Sequence, residues 1–283
     1  ILRGGRELPL YARIVEAGAP RAIVLPGRVD GEMSDLRDGD LRWDEFLRED
    51  DDFAAVACSP DQTTNILFSS GTTGDPKALP WTHIHPIKCG SDAHYHQDVH
   101  PGDVISWPTN LGWMMGPWLI YAAFLNRATM ALYYGVPTER GFGEFVRDAK
   151  VAMLGVIPSM VRTWRSTGCM EGIDFSALRA FSATGECSNA EDMHYLMALA
   201  GYRPVLEYCG GTELAGGYLL STLVEPVAPA TFNSATLGTD LVILDEAGVV
   251  CDSGEVFLVP PAIGMSSQVL NRDHHEIYFE GVA

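Results

Sequence analysis

The sequence has little positive charge. It contains 19 Lys and Arg residues against 37 Asp and Glu residues, which gives a formal net charge of −18 over 283 residues. A protein that binds nucleic acid along its phosphate backbone needs a basic surface, so this balance argues against a nucleic-acid groove. We attribute the acidity to solubility, which a net charge far from zero favours.

The sequence also lacks paired cysteines and long hydrophobic runs. Its six cysteines are scattered without any Cys-x-x-Cys pair, which is typical of reduced, intracellular thiols rather than of a disulfide framework. The longest apolar stretch, residues 114–125, is too short to span a membrane and contains Gly116 and Pro117. No signal peptide is visible. With 47% apolar residues, the composition is that of a globular protein with a sizeable core.

The segment from Phe68 to Lys77 carries the most informative pattern, Phe-Ser-Ser-Gly-Thr-Thr-Gly-Asp-Pro-Lys. It follows an apolar run that predicts a buried strand end. Gly71 and Gly74 permit a tight turn in which several N–H groups point at one anion. Hydroxyl donors come from four further residues, Ser69, Ser70, Thr72 and Thr73. With the mobile charge of Lys77, this chemistry suits a polyphosphate, in particular a leaving pyrophosphate.

The segment is not a Walker A element, because Pro76 precedes Lys77 and Ala78 follows it. It resembles the phosphate-binding signature of the adenylate-forming superfamily, which includes acyl-CoA synthetases, luciferases and the adenylation domains of peptide synthetases. One position departs from that signature, since the superfamily usually has Gly where Ala78 stands. His83 matches the Thr-His that closes the signature. The resemblance implies ATP as a substrate, with Mg²⁺ and local backbone dipoles handling the phosphates in an acidic chain.

A second motif, Tyr-Cys-Gly-Gly-Thr-Glu at residues 208–213, follows a predicted strand at its carboxyl end, where ligands bind in open α/β sheets. By composition alone it is a glycine-rich turn. It also resembles the superfamily's aromatic-Gly-x-Thr-Glu signature. That resemblance implies that Tyr208 flanks the adenine, that Thr212 contacts the α-phosphate and that Glu213 coordinates Mg²⁺. We assign nucleotide binding to Tyr208, Cys209, Gly210, Gly211 and Thr212, and catalysis to Lys77, Thr212 and Glu213.

Gly185 and Glu186 follow another predicted strand at its carboxyl end. As an isolated pair they indicate only a strand–helix turn. The superfamily has Gly-Glu here, followed by Pro or a small residue, as the other wall of the adenine pocket. The resemblance therefore implies that both residues bind nucleotide, with Cys187 as a mild departure.

Residues 107–116 are rich in aromatic and soft apolar side chains, which by themselves favour core packing. In acyl-CoA synthetases of the acetate type, a similar Gly-Trp segment lines the carboxylate and pantetheine pocket. The resemblance places Trp113 and Met114 in an acyl/CoA pocket. Acetyl-CoA synthetases carry a large aromatic residue at the position of Gly210, where it closes the acyl pocket. Its absence here predicts an acid longer than acetate, probed by comparing acetate with octanoate.

Five histidines fall between residues 83 and 100, namely His83, His85, His94, His96 and His100. His-x-His pairs can bind zinc on a strand, but this stretch is predicted to be helical, where side chains two residues apart diverge. We therefore predict no zinc site there. His274 and His275 are predicted at a polar strand edge.

The order of elements predicts an α/β fold with a parallel sheet layered with helices. Strands are predicted at residues 65–69, 104–107, 129–133, 151–156, 178–183 and 204–208, and helices at 83–97, 117–126, 142–150, 159–166 and 190–200. Ser188 and Glu191 have capping-box spacing at the start of the last helix. After residue 230, strands at 237–245 and 255–260 around a Glu-Ala-Gly turn predict the start of a smaller antiparallel β region. The resemblance makes the whole a partial N-terminal domain of an adenylate-forming enzyme.

We divide the chain into an incomplete N-terminal segment (1–60), an ATP/AMP-binding α/β subdomain (61–230) and a truncated β subdomain (231–283). In the first segment a strand is predicted at 21–25, a charged loop at 28–40 and a helix at 43–48. The chain begins without Met and ends directly after a strand-like run at 276–279. We therefore expect a fragment that lacks the C-terminal lid domain of the superfamily and turns over poorly by itself.

The resemblance implies an AMP-forming acyl-CoA synthetase that activates a carboxylic acid, of medium chain length by the Gly210 argument, as acyl-AMP and transfers the acyl group to CoA. The expected ligands are the acid, ATP, Mg²⁺ and CoA, with no nucleic acid and no integral membrane span. Three alternatives stay open: a non-catalytic nucleotide- or acyl-binding module of the same fold, an adenylating enzyme with a non-CoA acceptor, and a phosphotransferase. The expected location is the cytoplasm, or the peroxisome in a eukaryote.

Overall fold

The computed structural model describes residues 2–3, 6–27, 33, 35–50, 52–69 and 75–280. The chain divides into two compact units, one formed by Ile1–Ala57 with Tyr134–Val136 and the other by Cys58–Tyr133 with Pro137–Ala283. The predicted division of the larger unit at residue 230 stays a prediction. Within the described ranges, no helix combines the length and apolar character needed to cross a membrane.

The elements in the described part of the smaller unit are short: β1 Leu2–Arg3, β2 Arg6–Glu7, α1 Leu10–Glu16, β3 Ile23–Val24, β4 Leu41–Arg42 and α2 Trp43–Phe46. β1 pairs with β2 in antiparallel orientation, and β3 pairs with β4 in parallel orientation. The predicted strand at 21–25 and helix at 43–48 are therefore present in shorter form. Much of the predicted loop at 28–40 lies outside the described residues.

The larger unit begins with two strands, alternates helices and strands from α3 to β11, and continues with three further strands and a short helix. Its elements are β5 Thr63–Ser69, β6 Lys77–Thr82, α3 Ile84–Tyr95, β7 Val104–Ser106, α4 Met115–Leu125, β8 Thr129–Met130, α5 Arg140–Asp148, β9 Met153–Val156, α6 Pro158–Thr167, β10 Ala180–Ala183, α7 Ala190–Leu199, β11 Val205–Gly211, β12 Gly216–Leu220, β13 Asp240–Leu244, β14 Glu255–Val259 and α8 His274–Tyr278.

Six strands form the central sheet in the order β12-β11-β10-β9-β7-β8. The pairs from β11 through β8 are parallel, and only β12 runs antiparallel to its neighbour. Neighbouring residues of β9 lie in different cores, because side chains alternate across a strand. Met153 packs with the residues of α3 and α4, and Leu154 packs with those of α5, α6 and α7. Helices therefore cover both faces, and the predicted α/β fold is confirmed.

The ends of two helices follow from their sequence. α6 has Pro158 in its first turn and ends at Gly168, which adopts φ 65°, the left-handed conformation that glycine tolerates best. At α7 the Asn189 side chain accepts hydrogen bonds from the N–H groups of Glu191 and Asp192. The cap of α7 is thus Asn189, one residue after the Ser188 that the spacing predicted.

Two predictions for the strands need correction. Residues 65–69 form a strand, but β5 pairs with β6 in a separate antiparallel two-stranded sheet. β6 was not predicted. Its Pro80 lies opposite Ile66 in this two-stranded sheet, where a residue without an N–H is tolerated.

The region after residue 230 follows the prediction in part. β13 and β14 pair in antiparallel orientation, and Gly248 of the intervening turn adopts φ 74°. The predicted strand at 276–279 and the predicted strand edge at His274 and His275 are wrong. These residues belong to α8, which begins where the Asp273 side chain accepts the N–H of Glu276.

Candidate active site

The two predicted motifs meet through an ion pair. Lys77 is the first residue of β6, and Glu213 lies in the turn after β11. Lys77 Nζ is 2.7 Å from Glu213 Oε1, although the residues are 136 positions apart in the sequence. Their side chains are 17% and 33% exposed, so the pair is accessible from one side. The structure therefore brings together two of the three predicted catalytic residues.

Burial and pairing act against each other at this ion pair. Burial is the largest single influence on Lys77 and disfavours its charge, but the hydrogen bonds and charge interactions with Glu213 and Tyr278 together raise its pKa. Burial is likewise the largest single influence on Glu213 and disfavours its carboxylate, but the hydrogen bonds from Lys77, Tyr278 and a backbone N–H, with the charge of Lys77, together lower its pKa. Both residues are therefore held in their charged forms, as contact with a metal–polyphosphate requires.

Tyr278 of α8 is the third member of this cluster, and sequence reasoning did not find it. Its hydroxyl donates a hydrogen bond of 2.9 Å to Glu213 Oε1. Lys77 Nζ lies 4.7 Å from the centre of the Tyr278 ring. Burial raises the pKa of Tyr278 to about 12, which keeps the hydroxyl a donor. Nothing in the sequence pattern joins a tyrosine near residue 280 to the earlier motifs.

Thr212, the third predicted catalytic residue, is held by its backbone. The indole Nε1 of Trp81 donates to the Thr212 carbonyl at 2.8 Å. Trp81 is fully buried in β6 and stacks on His85. The strand that begins with Lys77 therefore also positions the peptide that precedes Glu213.

Side chains of helix α3 form hydrogen bonds with the backbone that follows Glu213. Cys89 Sγ donates to the carbonyl of Ala215. Lys88 and Asp92 form a fully buried ion pair, and Asp92 Oδ2 accepts the N–H of Gly217 at 2.8 Å. The backbone of Gly216 passes so close to this pair that a β-carbon there would clash with Asp92 Oδ2 and Lys88 Cε. A Lys–Asp pair four residues apart in an apolar helix was the available sequence signal for this contact.

The ring of Tyr208 lies in the core of the larger unit. It is 3% exposed and packs in the core between Trp107 and Trp118. Strand alternation explains this placement, because Tyr208 faces the sheet core and its neighbour Cys209 faces the other way. Cys209 is partly buried, and its thiol lies 2.9 Å from the Tyr218 hydroxyl. In this structure the ring of Tyr208 is therefore enclosed by the core, and its predicted contact with the adenine stays a prediction.

Gly210 is explained by the backbone. It follows the irregularity in the β11–β12 pairing between Cys209 and Gly210. A β-carbon at Gly210 would clash with the carbonyl group of Gly216 on the facing strand. The hairpin therefore requires glycine here, whatever lies in the acyl pocket. Gly211 has more room, since a β-carbon there would have one close neighbour, Glu213 Oε2 at 3.0 Å, and no close backbone atom.

Gly185 and Glu186 lie just after β10, beside β11. Thr184 donates from Oγ1 to the carbonyl of Tyr208 at 2.6 Å. The Glu186 carboxylate accepts the backbone N–H of Ser159 at 2.9 Å and its hydroxyl at 2.8 Å, at the start of α6. Gly185 adopts φ +91° with open space around its α-carbon. The role of both residues in nucleotide binding stays a prediction.

The acyl/CoA residues lie at the start of α4. Trp113 is 65% exposed, whereas Met114 packs against the core that contains Trp118. Gly116 passes so close to the Asn110 carbonyl that a β-carbon would clash with it, which fixes the loop that carries Trp113. An exposed aromatic ring beside the carboxyl ends of the strands is compatible with the predicted pocket.

The structure describes the two ends of the first motif. Ser70, Gly71, Thr72, Thr73 and Gly74 lie outside the described residues. Ser69 ends β5, and its buried hydroxyl has no hydrogen-bond partner in the described part of the chain. At the other end of the motif, Lys77 forms the ion pair with Glu213.

The histidines of α3 serve the fold. His96 Nδ1 lies 3.1 Å from the Leu220 carbonyl, and its Nε2 accepts the N–H of Leu237. Within the ranges that the structure describes, no three His, Cys, Asp or Glu side chains are grouped as metal ligands usually are. The predicted lack of a zinc site stays a prediction.

Glu213 fits the requirement of Mg²⁺ for a carboxylate oxygen. Magnesium at nucleotide sites is usually held by one or two carboxylates together with substrate phosphates. Glu213 offers such an oxygen on an accessible side, with a basic side chain beside it. The charge and donor type therefore match a metal–polyphosphate.

Comparison with known proteins decides the family. A protein-family profile described as "AMP-binding enzyme" matches residues 15–263. The chain belongs to the AMP-binding enzyme family. Both motifs fall inside the matched range, as expected for the nucleotide-handling part of such an enzyme.

Relatives of this AMP-binding chain include plant acyl-activating proteins. It is 48% identical to the hexanoyl-CoA synthase of Cannabis sativa over its whole length, which is 41% of that protein. It is also 48% identical to the probable peroxisomal acyl-activating enzyme 17 of Arabidopsis thaliana, covering 40% of it. The chain thus spans about two fifths of these curated relatives. Acetoacetyl-CoA synthetase from Streptomyces lividans shares the fold, with a TM-score of 0.84 at 24% identity over 95% of this chain and 44% of that one.

Proposed function

We propose that this chain supplies the ATP-binding and acid-activating part of an AMP-forming acid–thiol ligase. The observation that carries the proposal is the Lys77–Glu213 pair, which joins the polyphosphate motif to the Thr-Glu motif. The family and the two plant relatives support the same reaction class.

The proposed reaction has two halves. In the first, a carboxylate oxygen attacks the α-phosphorus of ATP; the acyl–O–phosphorus bond forms, and the bond to pyrophosphate breaks. In the second, the CoA thiolate attacks the acyl carbon, the thioester forms, and AMP leaves with the oxygen. Neither half needs a protein nucleophile, so catalysis rests on position and charge.

Three residues of the chain have proposed roles. Lys77 places a positive charge against the phosphates, and Thr212 contacts the α-phosphate. Glu213 holds the metal. Mg²⁺, when bound, neutralises negative charge on the phosphates. The Trp81–Thr212 hydrogen bond and the Lys77–Glu213 pair keep these groups together without substrate.

We propose a medium-chain carboxylic acid as the substrate and CoA as the acceptor. This proposal rests on the hexanoyl-CoA synthase relative, since the hairpin alone accounts for Gly210. Trp113 and Met114 are the proposed pocket residues. For location we propose the cytoplasm, or the peroxisome in a eukaryote, as in the Arabidopsis relative's name.

The test is carboxylate-dependent exchange of labelled pyrophosphate into ATP, measured on the natural protein that carries this sequence. A series of acids from acetate to palmitate gives the chain-length preference, and addition of CoA shows whether a thioester forms. We expect exchange that is highest near hexanoate, and we expect Lys77→Met and Glu213→Gln to reduce it by at least about 100-fold, as losses of charge-stabilising groups do.

Matched controls come from exposed residues of the same types. Lys150→Met and Glu225→Gln change charge at exposed positions and should leave the exchange rate unchanged. ATP binding without exchange for any acid would contradict the proposal and identify a non-catalytic binding module. Exchange without thioester formation would identify a different acyl acceptor, and release of ADP would identify a phosphotransferase.

A further inference from the structure

The segment from Leu270 to Tyr278 lies against both motifs, although neither motif predicts it. It follows the β13–β14 region and includes α8. Its residues contact the end of the polyphosphate segment at one point and Glu213 at another. We use the name clamp segment for residues 270–278.

The first contact fixes the backbone on either side of Lys77. The Asn271 side chain accepts the N–H of Ala78 at 2.9 Å and donates to the carbonyl of Pro76 at 2.9 Å. The N–H of Leu270 donates to the Ala78 carbonyl. Arg272 adds a hydrogen bond of 3.0 Å to the carbonyl of Asp75. The peptide groups that flank Lys77 are therefore held by one short stretch of chain.

The second contact fixes the side chains. The Tyr278 hydroxyl donates to the same Glu213 oxygen that pairs with Lys77, and its ring lies against Lys77 Nζ. When Lys77 turns toward phosphate, Glu213 loses one partner, and the Tyr278 hydroxyl remains as its donor. A charge-assisted hydrogen bond of this kind keeps the carboxylate in a single orientation.

We propose that Tyr278 is a positioning residue for Glu213, with Asn271 holding the backbone of Lys77 for the same purpose. The clamp segment then orients the carboxylate that receives the metal–nucleotide. This inference rests on the proposed function for its ligand. Asn271 and Tyr278, which lie outside both motifs, thereby position residues of the motifs.

The test compares Tyr278→Phe with the unchanged protein by calorimetric titration of ATP in magnesium and of ATP in EDTA. Phenylalanine keeps the ring beside Lys77 and removes only the hydroxyl. We expect affinity for magnesium-ATP to fall about ten-fold, in line with the loss of one hydrogen bond to a charged group, and affinity for metal-free ATP to stay unchanged. Pyrophosphate exchange should show a matching rise in the half-saturating magnesium concentration, with the KM for the acid unchanged.

Two further variants keep the result interpretable. Tyr202→Phe removes a hydroxyl from an exposed side chain and should change neither affinity. Asn271→Asp retains the acceptor for Ala78 and loses the donor to Pro76, so hydrogen exchange at residues 75–79 should quicken. Equal affinities for Tyr278→Phe and the unchanged protein, or an equal loss with and without magnesium, would overturn the proposal. The titrations need no acid substrate, so absence of exchange would count against the proposed function alone.

Discussion

Lys88 Nζ lies 2.7 Å from Asp92 Oδ1, in a pair whose side chains are 1% and 2% exposed. The two residues are one turn apart on α3. The other carboxylate oxygen of Asp92 accepts the N–H of Gly217. A buried ion pair by itself contributes little net stability, but removal of one partner leaves an uncompensated charge. Because Asp92 bonds the backbone shortly after the Thr-Glu motif, substitutions in this pair test how much α3 stabilises that part of the chain.

We expect Asp92→Asn to lower the free energy of unfolding by about 3–5 kcal/mol, because Lys88 is left without its counter-charge in the interior. Urea denaturation followed by circular dichroism measures this loss. The exposed pair Arg147–Asp148 provides the control, and Arg147→Met should cost less than about 1 kcal/mol. Equal losses in the two variants would contradict a buried pair at residues 88 and 92.

His85 gives a prediction for acid stability. Burial lowers its pKa from 6.5 to about 4, and its Nδ1 accepts the N–H of Thr82. Between these pH values the unfolded chain binds a proton that the folded chain does not, so this contribution to stability is complete above pH 6.5 and is lost as the pH falls toward 4. We expect the loss to be about 2–3 kcal/mol.

The measurement is urea denaturation at several pH values, with His85→Asn as the comparison. Asparagine can accept the same N–H without titrating in this range. The difference between the two curves isolates the contribution of His85. This comparison is needed because burial raises the pKa of Asp92 to about 6, so the titration of Asp92 increases stability as the pH falls, whereas that of His85 decreases it. Parallel curves for the two proteins would show that His85 does not titrate in the way we expect.

Gly210 and Gly211 form a matched pair of positions. Gly210→Ala should lower the free energy of unfolding by about 1–3 kcal/mol, because the added carbon meets the backbone of Gly216. Gly211→Ala places its new carbon 3.0 Å from Glu213 Oε2, a contact that a small movement of one side chain relieves, and should unfold at nearly the same urea concentration as the unchanged protein. A stable Gly210→Ala protein with altered acid preference would instead support the earlier argument about the acyl pocket.

Trp113 tests the acyl pocket directly. Its exposed ring should be replaceable by Ala with little effect on unfolding, since surface substitutions usually change stability by less than about 0.5 kcal/mol. If the ring contacts the acyl chain, the KM for hexanoate in pyrophosphate exchange should rise about ten-fold or more, while the KM for ATP stays constant. Trp43→Ala, at another exposed tryptophan, is the control.

Sequence reasoning located the alternating elements because their patterns are local. β9 and β10 are entirely buried and appear in the sequence as short apolar runs. β6 was missed because its strand character depends on pairing with β5, and because proline is disfavoured within strands. α8 was predicted as a strand, since its capping residue Asp273 was not recognised.

At the candidate site, the sequence identified the motif residues but not the side chains that contact them. Lys77 and Glu213 were found by motif, and the structure pairs them. Tyr208 was assigned to the adenine by residue type, but strand alternation turns its ring into the core. Tyr278 could not be found, because its contact with Glu213 depends on a segment that returns to the site from 65 residues away.

The close approach of Gly216 to Lys88 and Asp92 has a consequence for how this fold can vary. A side chain at residue 216 would need the space that the two charged side chains occupy. In natural relatives we therefore expect these three positions to change together, with alanine or larger at 216 accompanied by shorter or uncharged residues at 88 and 92. A mutational library that varied position 216 alone would return glycine almost exclusively, whereas one that varied all three would recover compensated combinations.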